Sequence, residues 1–477
     1  MRPRKEFALI ASLLFLSGCA VGPRYKRPVV SVPKTWTVEQ SSSTNTDEPT
    51  EQWWSAFNDD EFNRLIERAV RTNLDVQLAA ARVAEARAET GVAKSGLFPS
   101  VNASASASRN RQQVIAVSPA RPGSAQVVPI EFNNYHGGFD ASWELDVFGG
   151  IRRGFEAANA DALAASEARR AVLVTLLGDV GRSYVELRGT QLRLDIAEKN
   201  IKIQRDTLEL TEARAKAGLA TELDVARAKA QLETTQSDVP TLQSGIENSI
   251  HHLSILLAEE PGALRDELAR KTPVPILPPS VPVGLPSDLL ERRPDLRASE
   301  AQIIAATARV GEAKADFFPR FMLVGTAGRQ ASQLHDLTLG MGNYFGVGPA
   351  ISLPIFTGGR LQSQLHVQDA RLQQAVITYR ATILAALEET ENALVNYSQE
   401  QARRERLESA VESNEEAVQL SSETYRAGLT DFLSVLDAER ELYANEDLLA
   451  QSRTTQAVNL IALYKALGGG WQSFSQP

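Results

Sequence analysis

The sequence predicts a mixed fold: a mainly α-helical chain that contributes four strands to a membrane β-barrel shared by three copies. Three observations predict it. The chain repeats itself at an offset of about 210 residues, two segments alternate apolar and polar residues, and two stretches of about 60 residues contain no proline. Period-two alternation is typical of barrel strands, and long proline-free stretches favour uninterrupted helices.

The N-terminus has the pattern of a lipoprotein signal peptide over residues 1–18. Arg2, Arg4 and Lys5 precede an apolar run at 7–16, and small residues then precede Cys19. Cys19 is therefore the predicted lipidation site, with palmitate among its acyl chains. The alternative is an ordinary signal peptide with an incidental cysteine. Ala20 follows where aspartate would signal inner-membrane retention, so the outer membrane is favoured, and two or more acyl chains anchor a protein stably.

Composition excludes several classes of protein. The net charge is −9 with no basic stripe, which argues against a nucleic-acid partner. The single cysteine excludes a disulfide within the chain. None of the five histidines belongs to an HExxH motif, and no nucleophile elbow or phosphate loop is present. We therefore predict no catalytic residue, metal or cofactor. No apolar run after Cys19 is long enough for a transmembrane helix, so a membrane crossing would need a closed barrel.

An internal repeat sets the predicted domain organisation. Residues 81–100 and 301–320 are identical at eight of twenty positions, and 217–225 resembles 427–435. We predict a first repeat at 59–270, a proline-rich connector at 271–290 and a second repeat at 291–467. An extended, lipid-anchored tail at 19–58 precedes them, and a short C-terminal tail at 468–477 follows.

The predicted strands lie within 101–148 and 320–356. Residues 139–147 alternate clearly, with Phe139, Trp143 and Val147 on one face, and 345–355 behaves similarly. A soluble sheet with one buried face would show the same pattern. Four strands cannot enclose an aqueous pore, so a barrel must be shared, and a trimer would supply twelve strands.

Two long helical hairpins are predicted at 155–260 and 360–467. The proline-free stretch 361–427 would extend about 100 Å as one helix. Each long helix ends at Ala-Gly-Leu, where glycine suits a helix C-terminus, and a second helix returns from Thr221 or Thr430. We expect Pro240 to kink the first return helix. Residues spaced alternately four and three apart form a weak coiled-coil seam, namely Leu407, Val411, Asn414, Val418, Ser421 and Tyr425.

The chain resembles the outer-membrane factor family, the TolC-like channels, and in particular the lipoprotein branch that serves multidrug efflux pumps. The similarity runs from Cys19 to Trp471. Its specific segments are CAVGPRYKRP at 19–28, RRPDL at 292–296, AKADFFP at 313–319, LPIFTGG at 353–359, ENAL at 391–394 and YRAG at 425–428.

The resemblance implies a homotrimer with a twelve-stranded outer-membrane barrel and a periplasmic barrel of helices. It also implies a periplasmic adaptor and an inner-membrane transporter as partners, and export of small molecules through a passive duct. A non-pore structural lipoprotein or adaptor with coiled-coil hairpins is the alternative, and a hydrolytic lipoprotein is a more distant one. Two hairpins and two alternating strand pairs favour the channel.

The resemblance also implies a gate formed by Tyr425, Asp437 and Asp224. Asp224 could instead cap the helix that starts after Thr221, Asp437 could pair with Arg440 on the surface, and Tyr425 could be a seam residue. The chain departs from the family at Thr430, where a basic residue is common. Arg227, at the repeat position of Asp437, is a possible substitute.

Overall fold

The computed structural model describes residues 20–37, 44–45, 47, 50–117, 123, 125–278, 280–338 and 342–474. The predicted signal peptide and Cys19 lie outside the described residues. Contacts divide the chain into two compact units. The first unit contains 84–164 and 300–377 together with the start of the chain, and the second contains 29–83, 165–299 and 378–477.

The secondary-structure elements follow the predicted order. The strands are β1 (Thr44–Asn45), β2 (Ser100–Val117), β3 (Ala125–Leu145), β4 (Val281–Pro282), β5 (Arg320–Ala331) and β6 (Asn343–Ser352). The helices are α1 (Asp60–Thr72), α2 (Leu74–Ser95), α3 (Gly150–Lys216), α4 (Glu222–Leu256), α5 (Arg265–Leu268), α6 (Leu289–Arg292), α7 (Pro294–Ala315), α8 (Arg360–Arg426) and α9 (Phe432–Ala466).

In the first unit, four antiparallel strands form a sheet in the order β2-β3-β5-β6. This confirms four strands, two from each predicted repeat. The face that carries Phe139, Trp143 and Phe345, here called the apolar face, is exposed: Phe345 is 87% and Phe139 59% accessible. No described residue of the chain buries this face, so the sheet does not have a face buried within its own chain.

The predicted strand limits need correction at two places. The alternating sequence at 139–147 extends past Leu145, where β3 ends. Asp146 belongs to the next element, since its carboxylate accepts hydrogen bonds from the backbone amides of Ile151 and Arg152, at 3.1 and 2.8 Å. These contacts satisfy amide groups at the start of α3, which begins at Gly150 rather than 155. Strand β6 ends at Ser352, since Pro354 lacks the N–H group that would continue the ladder.

The two hairpins have equal helices. Helices α3 and α8 each contain 67 residues, and the return helices α4 and α9 each contain 35. Helix α4 continues through Pro240 without ending. The predicted seam is confirmed, because all six of its residues are partly or fully buried. Among the described residues, no helix is both long and apolar enough to cross a bilayer.

The region 60–95, whose sequence predicts one helix, forms two helices, α1 and α2. Asn73 separates them: its side-chain oxygen accepts hydrogen bonds from the amides of Asp75 and Val76, at 2.9 and 3.1 Å. Its side-chain nitrogen donates to the carbonyl oxygen of Leu256 at 2.9 Å. Asn73 thus caps the start of α2 and is bonded to the end of α4, and these side-chain bonds favour a helix break at this residue over one continuous helix.

The ends of the chain are not simple tails. Residues 20–37 have no regular secondary structure, as predicted. Residues Trp53–Phe57, however, form a 3-10 helix whose Trp53 is buried and stacks on Tyr464, with ring centroids 5.4 Å apart. Trp471 is also buried, and the guanidinium of Arg170 lies 4.6 Å from its ring. Burial of these large aromatic side chains therefore holds residues of both predicted tails within the second unit.

The proline-rich connector is mostly irregular, as predicted. Among its described residues, Val281 and Pro282 form the short strand β4, which pairs in parallel with Thr44 and Asn45 of β1. The indole nitrogen of Trp36 donates to the carbonyl oxygen of Gly284 at 3.0 Å. The connector therefore holds part of the N-terminal segment within the second unit.

Candidate functional site

The two helical turns of the second unit have the same backbone geometry. Leu219 N donates to Arg214 O at 2.8 Å and Gly218 N to Ala215 O at 2.9 Å. Leu429 N and Gly428 N make the equivalent bonds to Thr424 O and Tyr425 O. Both glycines are left-handed, with φ of 75° and 74°. This is the Schellman pattern that satisfies the last carbonyl groups of a helix, so each predicted hairpin turn is confirmed.

The return helices start with different caps. In α4, Asp224 and Thr221 form a capping box, in which Asp224 Oδ2 accepts from Thr221 N at 3.1 Å and from Thr221 Oγ1 at 2.7 Å. The capping contact weighed for Asp224 is thus present. A carboxylate in the first turn also interacts favourably with the helix dipole.

In α9 the cap is Asp431 rather than the expected Thr430. Asp431 Oδ1 accepts from Ser434 Oγ at 2.7 Å and from Ser434 N at 3.2 Å. These bonds are the main reason that the pKa of Asp431 lies below its usual range, and the charge of Arg227 adds to the effect. Arg227 thus lies within electrostatic reach of the second turn, where the family often has a basic residue.

Tyr425 lies in a small apolar core at the turns. It is 4% exposed and packs with Ala228, Phe432, Val435 and Leu436. Its ring meets that of Phe432 at a centroid distance of 5.9 Å and an angle of 60°. The Tyr425 hydroxyl is buried and makes no hydrogen bond to any described residue. The seam position predicted for Tyr425 is therefore confirmed, and its gate role stays a prediction.

Asp437 is the exposed acidic group of the predicted set. Its side chain is 60% accessible, and its distance to Arg440 is 4.0 Å, with Arg440 equally exposed. An ion pair this long and this exposed contributes little free energy. The expected surface pair is present but weak, and the Asp437 carboxylate stays available to solvent.

Arg214 is the residue that sequence reasoning missed. Its guanidinium lies 4.4 Å from the ring centroid of Tyr425, and its Nη1 atom donates to Tyr425 O at 3.0 Å. Arg214 occupies the repeat position of Thr424, next to Tyr425. A basic residue in the last turn of a helix was the only sequence signal for it.

Partly buried polar pairs join α3 to α9 away from the turns. Thr207 donates to the Glu439 carboxylate at 2.6 Å, and Asn200 donates to that of Glu446 at 2.6 Å. Burial raises the pKa of both glutamates. Arg193 forms a two-point ion pair with Asp447, at 2.6 and 3.1 Å. These contacts fix the register of the two helices through polar groups rather than through apolar packing alone.

Comparison with known proteins decides the family. The model of the outer membrane efflux protein family matches residues 65–259 and 285–469. The chain belongs to this family. The match includes both hairpins, both strand pairs and the turns described above.

Relatives of this family are similar over almost their whole length. A pyoverdine export outer membrane protein, OpmQ, from Pseudomonas aeruginosa is 32% identical, with 99% of this chain and 98% of the relative covered. The cation efflux system protein CusC of Escherichia coli is 30% identical, with 96% and 97% covered. The solved outer-membrane channel OprN is 36% identical, with 95% and 100% covered and a TM-score of 0.88.

These comparisons confirm three predictions. The fold class is that of the outer-membrane channel proteins. The chain is an outer-membrane channel subunit of an efflux system. It is not an enzyme, because the family consists of efflux channels.

Proposed function

We propose that three copies of this efflux protein form one passive exit duct for small molecules, which crosses the outer membrane and extends into the periplasm. The observation that carries the proposal is the exposed apolar face of a sheet with only four strands. Four strands are too few to surround water. Three chains would supply twelve strands, enough for a barrel with an aqueous lumen.

Sheet edges support the same assembly. Strands β2 and β6 are the edges of the four-stranded sheet and have no partner on their outer sides among the described residues. An unpaired edge in lipid would leave backbone N–H and C=O groups without hydrogen bonds. Pairing of β2 from one copy with β6 from the next would satisfy both edges.

We place the gate of the duct at the two helical turns, with Asp437, Tyr425 and Asp224 in different roles. Asp437 is exposed and would form a ring of three carboxylates that repel each other and attract cations. Tyr425 packs in the apolar core at the second turn and would hold the gate closed. Asp224 fixes the first turn through its capping box and acts on the gate by positioning.

Partners would bind at the turns and through the N-terminus. Leu219 and Leu429 project at the apex of the turns, with 67% and 77% of their surface accessible, and suit a periplasmic adaptor that links the duct to an inner-membrane transporter.

Acylation of Cys19 would anchor the chain to outer-membrane lipid. The Cys19→Ser variant should then lose the mass of the acyl chains, and an unchanged intact mass would contradict the anchor.

The test of the duct is conductance of the purified trimer in a planar bilayer. We expect Asp437→Ala and Tyr425→Ala to raise single-channel conductance and vancomycin uptake by cells. Asp206→Ala is the matched control, because Asp206 is an exposed carboxylate on α3 away from the turns. No conductance in any variant would refute the duct. Unchanged permeability in both gate variants would refute the gate alone.

A further inference from the structure

The apolar face of the sheet changes character along its strands. On β3 the apolar band extends from Leu145 to Phe139, about 20 Å. Phe139 pairs with Ala103 on β2 and with Ala327 on β5, so these residues share the band. Beyond Phe139, the same face carries positively charged side chains, first on β5 and then farther along on β2, and it is apolar again where Ile115 pairs with Val127.

Three arginines occupy the face beyond the band. Arg329 on β5 pairs with Gly137 of β3, one step beyond Phe139 on the same face. Arg109 and Arg111 on β2 pair with Asn133 and Glu131 of β3, farther along that face. Arg109 and Arg111 have 75% and 70% of their side chains accessible, and Arg329 is also exposed. All three side chains point outward, and along the strand Arg329 lies about 7 Å, Arg109 about 20 Å and Arg111 about 27 Å beyond Phe139.

Neighbouring groups hold these arginines without neutralising them. Arg329 Nε donates to Asn343 Oδ1 at 3.1 Å, and its Nη1 donates to Leu337 O at 2.8 Å. Arg109 pairs with Glu131 at 2.7 Å, while Arg111 lies 3.7 Å from the same carboxylate. Three positive charges face one negative charge, which leaves a net charge of +2. Each guanidinium has five N–H donors, so donors remain available.

We propose that Arg109, Arg111 and Arg329 bind the phosphate groups of a phosphorylated glycolipid headgroup in the outer leaflet of the membrane. The inference rests on the proposed function, which places the apolar band in the outer membrane. A charged side chain is costly at the bilayer midplane and far less so at the interface, so the position of these arginines suits the headgroup level. Arginine binds phosphate through two parallel charge-assisted hydrogen bonds.

The spacing of the patch suits a headgroup with more than one phosphate. Strands β2 and β5 flank β3, so Arg109 and Arg329 are about 10 Å apart across the sheet. They are also separated by four residues of β3, or about 14 Å along the strand. Long arginine side chains can shorten both distances. A single small anion could not contact both sites at once.

The test is a titration of the purified full-length trimer in detergent with bis-phosphorylated lipid A and with the same lipid after enzymatic removal of both phosphates. We expect the wild-type protein to prefer the phosphorylated lipid, with binding that weakens as salt rises. The variant R109Q/R111Q/R329Q should bind it at least roughly tenfold more weakly, because charge-assisted bonds are lost. Glu131→Gln should bind more tightly, because it removes the competing carboxylate.

A control with the same charge change is R71Q/R182Q/R453Q, which alters three exposed arginines outside the sheet and should bind as the wild type does. Equal binding of the two lipids, or an unchanged affinity in R109Q/R111Q/R329Q, would overturn the site. If that variant does not form trimers, Glu131→Gln decides, and weaker or equal binding there also overturns it. Conductance is read separately: a wild-type trimer that conducts but ignores lipid phosphates refutes this site and leaves the duct intact.

Discussion

Arg214 stacks on Tyr425 from the neighbouring hairpin. The guanidinium lies 4.4 Å from the ring centroid and donates to the backbone carbonyl oxygen of the same tyrosine at 3.0 Å. One side chain therefore holds both the ring and the helix end of its partner. This contact joins the first hairpin to the second at the place where we propose the gate.

Removing Arg214 should loosen the turns. A cation–π contact of this kind contributes about 1 kcal/mol, and a charged hydrogen bond about 2 kcal/mol. We expect Arg214→Ala to speed amide hydrogen exchange at 424–436 and to raise conductance. Arg426→Ala is the control, because Arg426 is exposed in the last turn of α8. Equal exchange in both variants would contradict the proposed role of Arg214.

Two substitutions at Tyr425 should separate packing from hydrogen bonding. The hydroxyl has no partner among the described residues, so Tyr425→Phe should change the stability of an isolated subunit by less than about 1 kcal/mol. Tyr425→Ala removes a buried ring and should cost about 3 kcal/mol or more. Denaturant unfolding measures both. A large loss in Tyr425→Phe that occurs only in the trimer would show that another copy supplies the partner.

Glu439 should make stability depend on pH. Burial raises its pKa above the ordinary value of 4.5, so the folded state keeps a proton that the unfolded state loses. The stabilisation is complete below pH 4.5 and is lost as the pH rises through the folded-state pKa. Glu439→Gln should therefore raise the melting temperature at neutral pH and have little effect at pH 4. The exposed Glu441→Gln variant should show no such difference, and identical pH profiles for both would contradict the prediction.

Arg188 should be essential for the stability of the second unit. It is fully buried, pairs with Glu61 at 2.5 Å and donates to the carbonyl oxygen of Arg270 at 2.8 Å. Truncation would leave the Glu61 carboxylate and the carbonyl oxygen of Arg270 without this partner, so we expect Arg188→Ala to cost about 3 to 5 kcal/mol. Arg182→Ala, on the same helix but 55% exposed, should cost less than about 1 kcal/mol. Similar unfolding midpoints for the two variants would refute this role.

Local patterns were enough to predict the repeat, the hairpins and the capping box. Gly218 and Gly428 mark the turns, and Thr221 with Asp224 marks a helix start, because each signal acts within a few residues of the chain. The same holds for the four strands, whose alternation is local. The predicted strand limits were wrong near Pro354 and Asp146. Pro354 lacks the N–H donor that would extend β6, and the Asp146 carboxylate caps α3 instead of extending β3.

Contacts between distant segments could not be predicted in this way. Arg214 and Tyr425 are 211 residues apart in sequence, and Trp53 lies in a segment whose composition predicts an extended tail. Asn73 breaks a helix because its amide reaches Leu256, a partner that no local pattern identifies. At the proposed gate, the sequence predicted a possible surface pair of Asp437 with Arg440 but not the length of that pair, 4.0 Å.

The turns at Gly218 and Gly428 share one backbone geometry but carry different side chains. A substitution at one turn therefore changes the sequence of one hairpin in each copy and not that of the other. In a ring built from half-length chains, every mutation would appear at all hairpins, and any harmful effect would be multiplied accordingly. Because both hairpins belong to one chain, the two turns can carry different residues, and a contact such as that of Arg214 with Tyr425 can form between them.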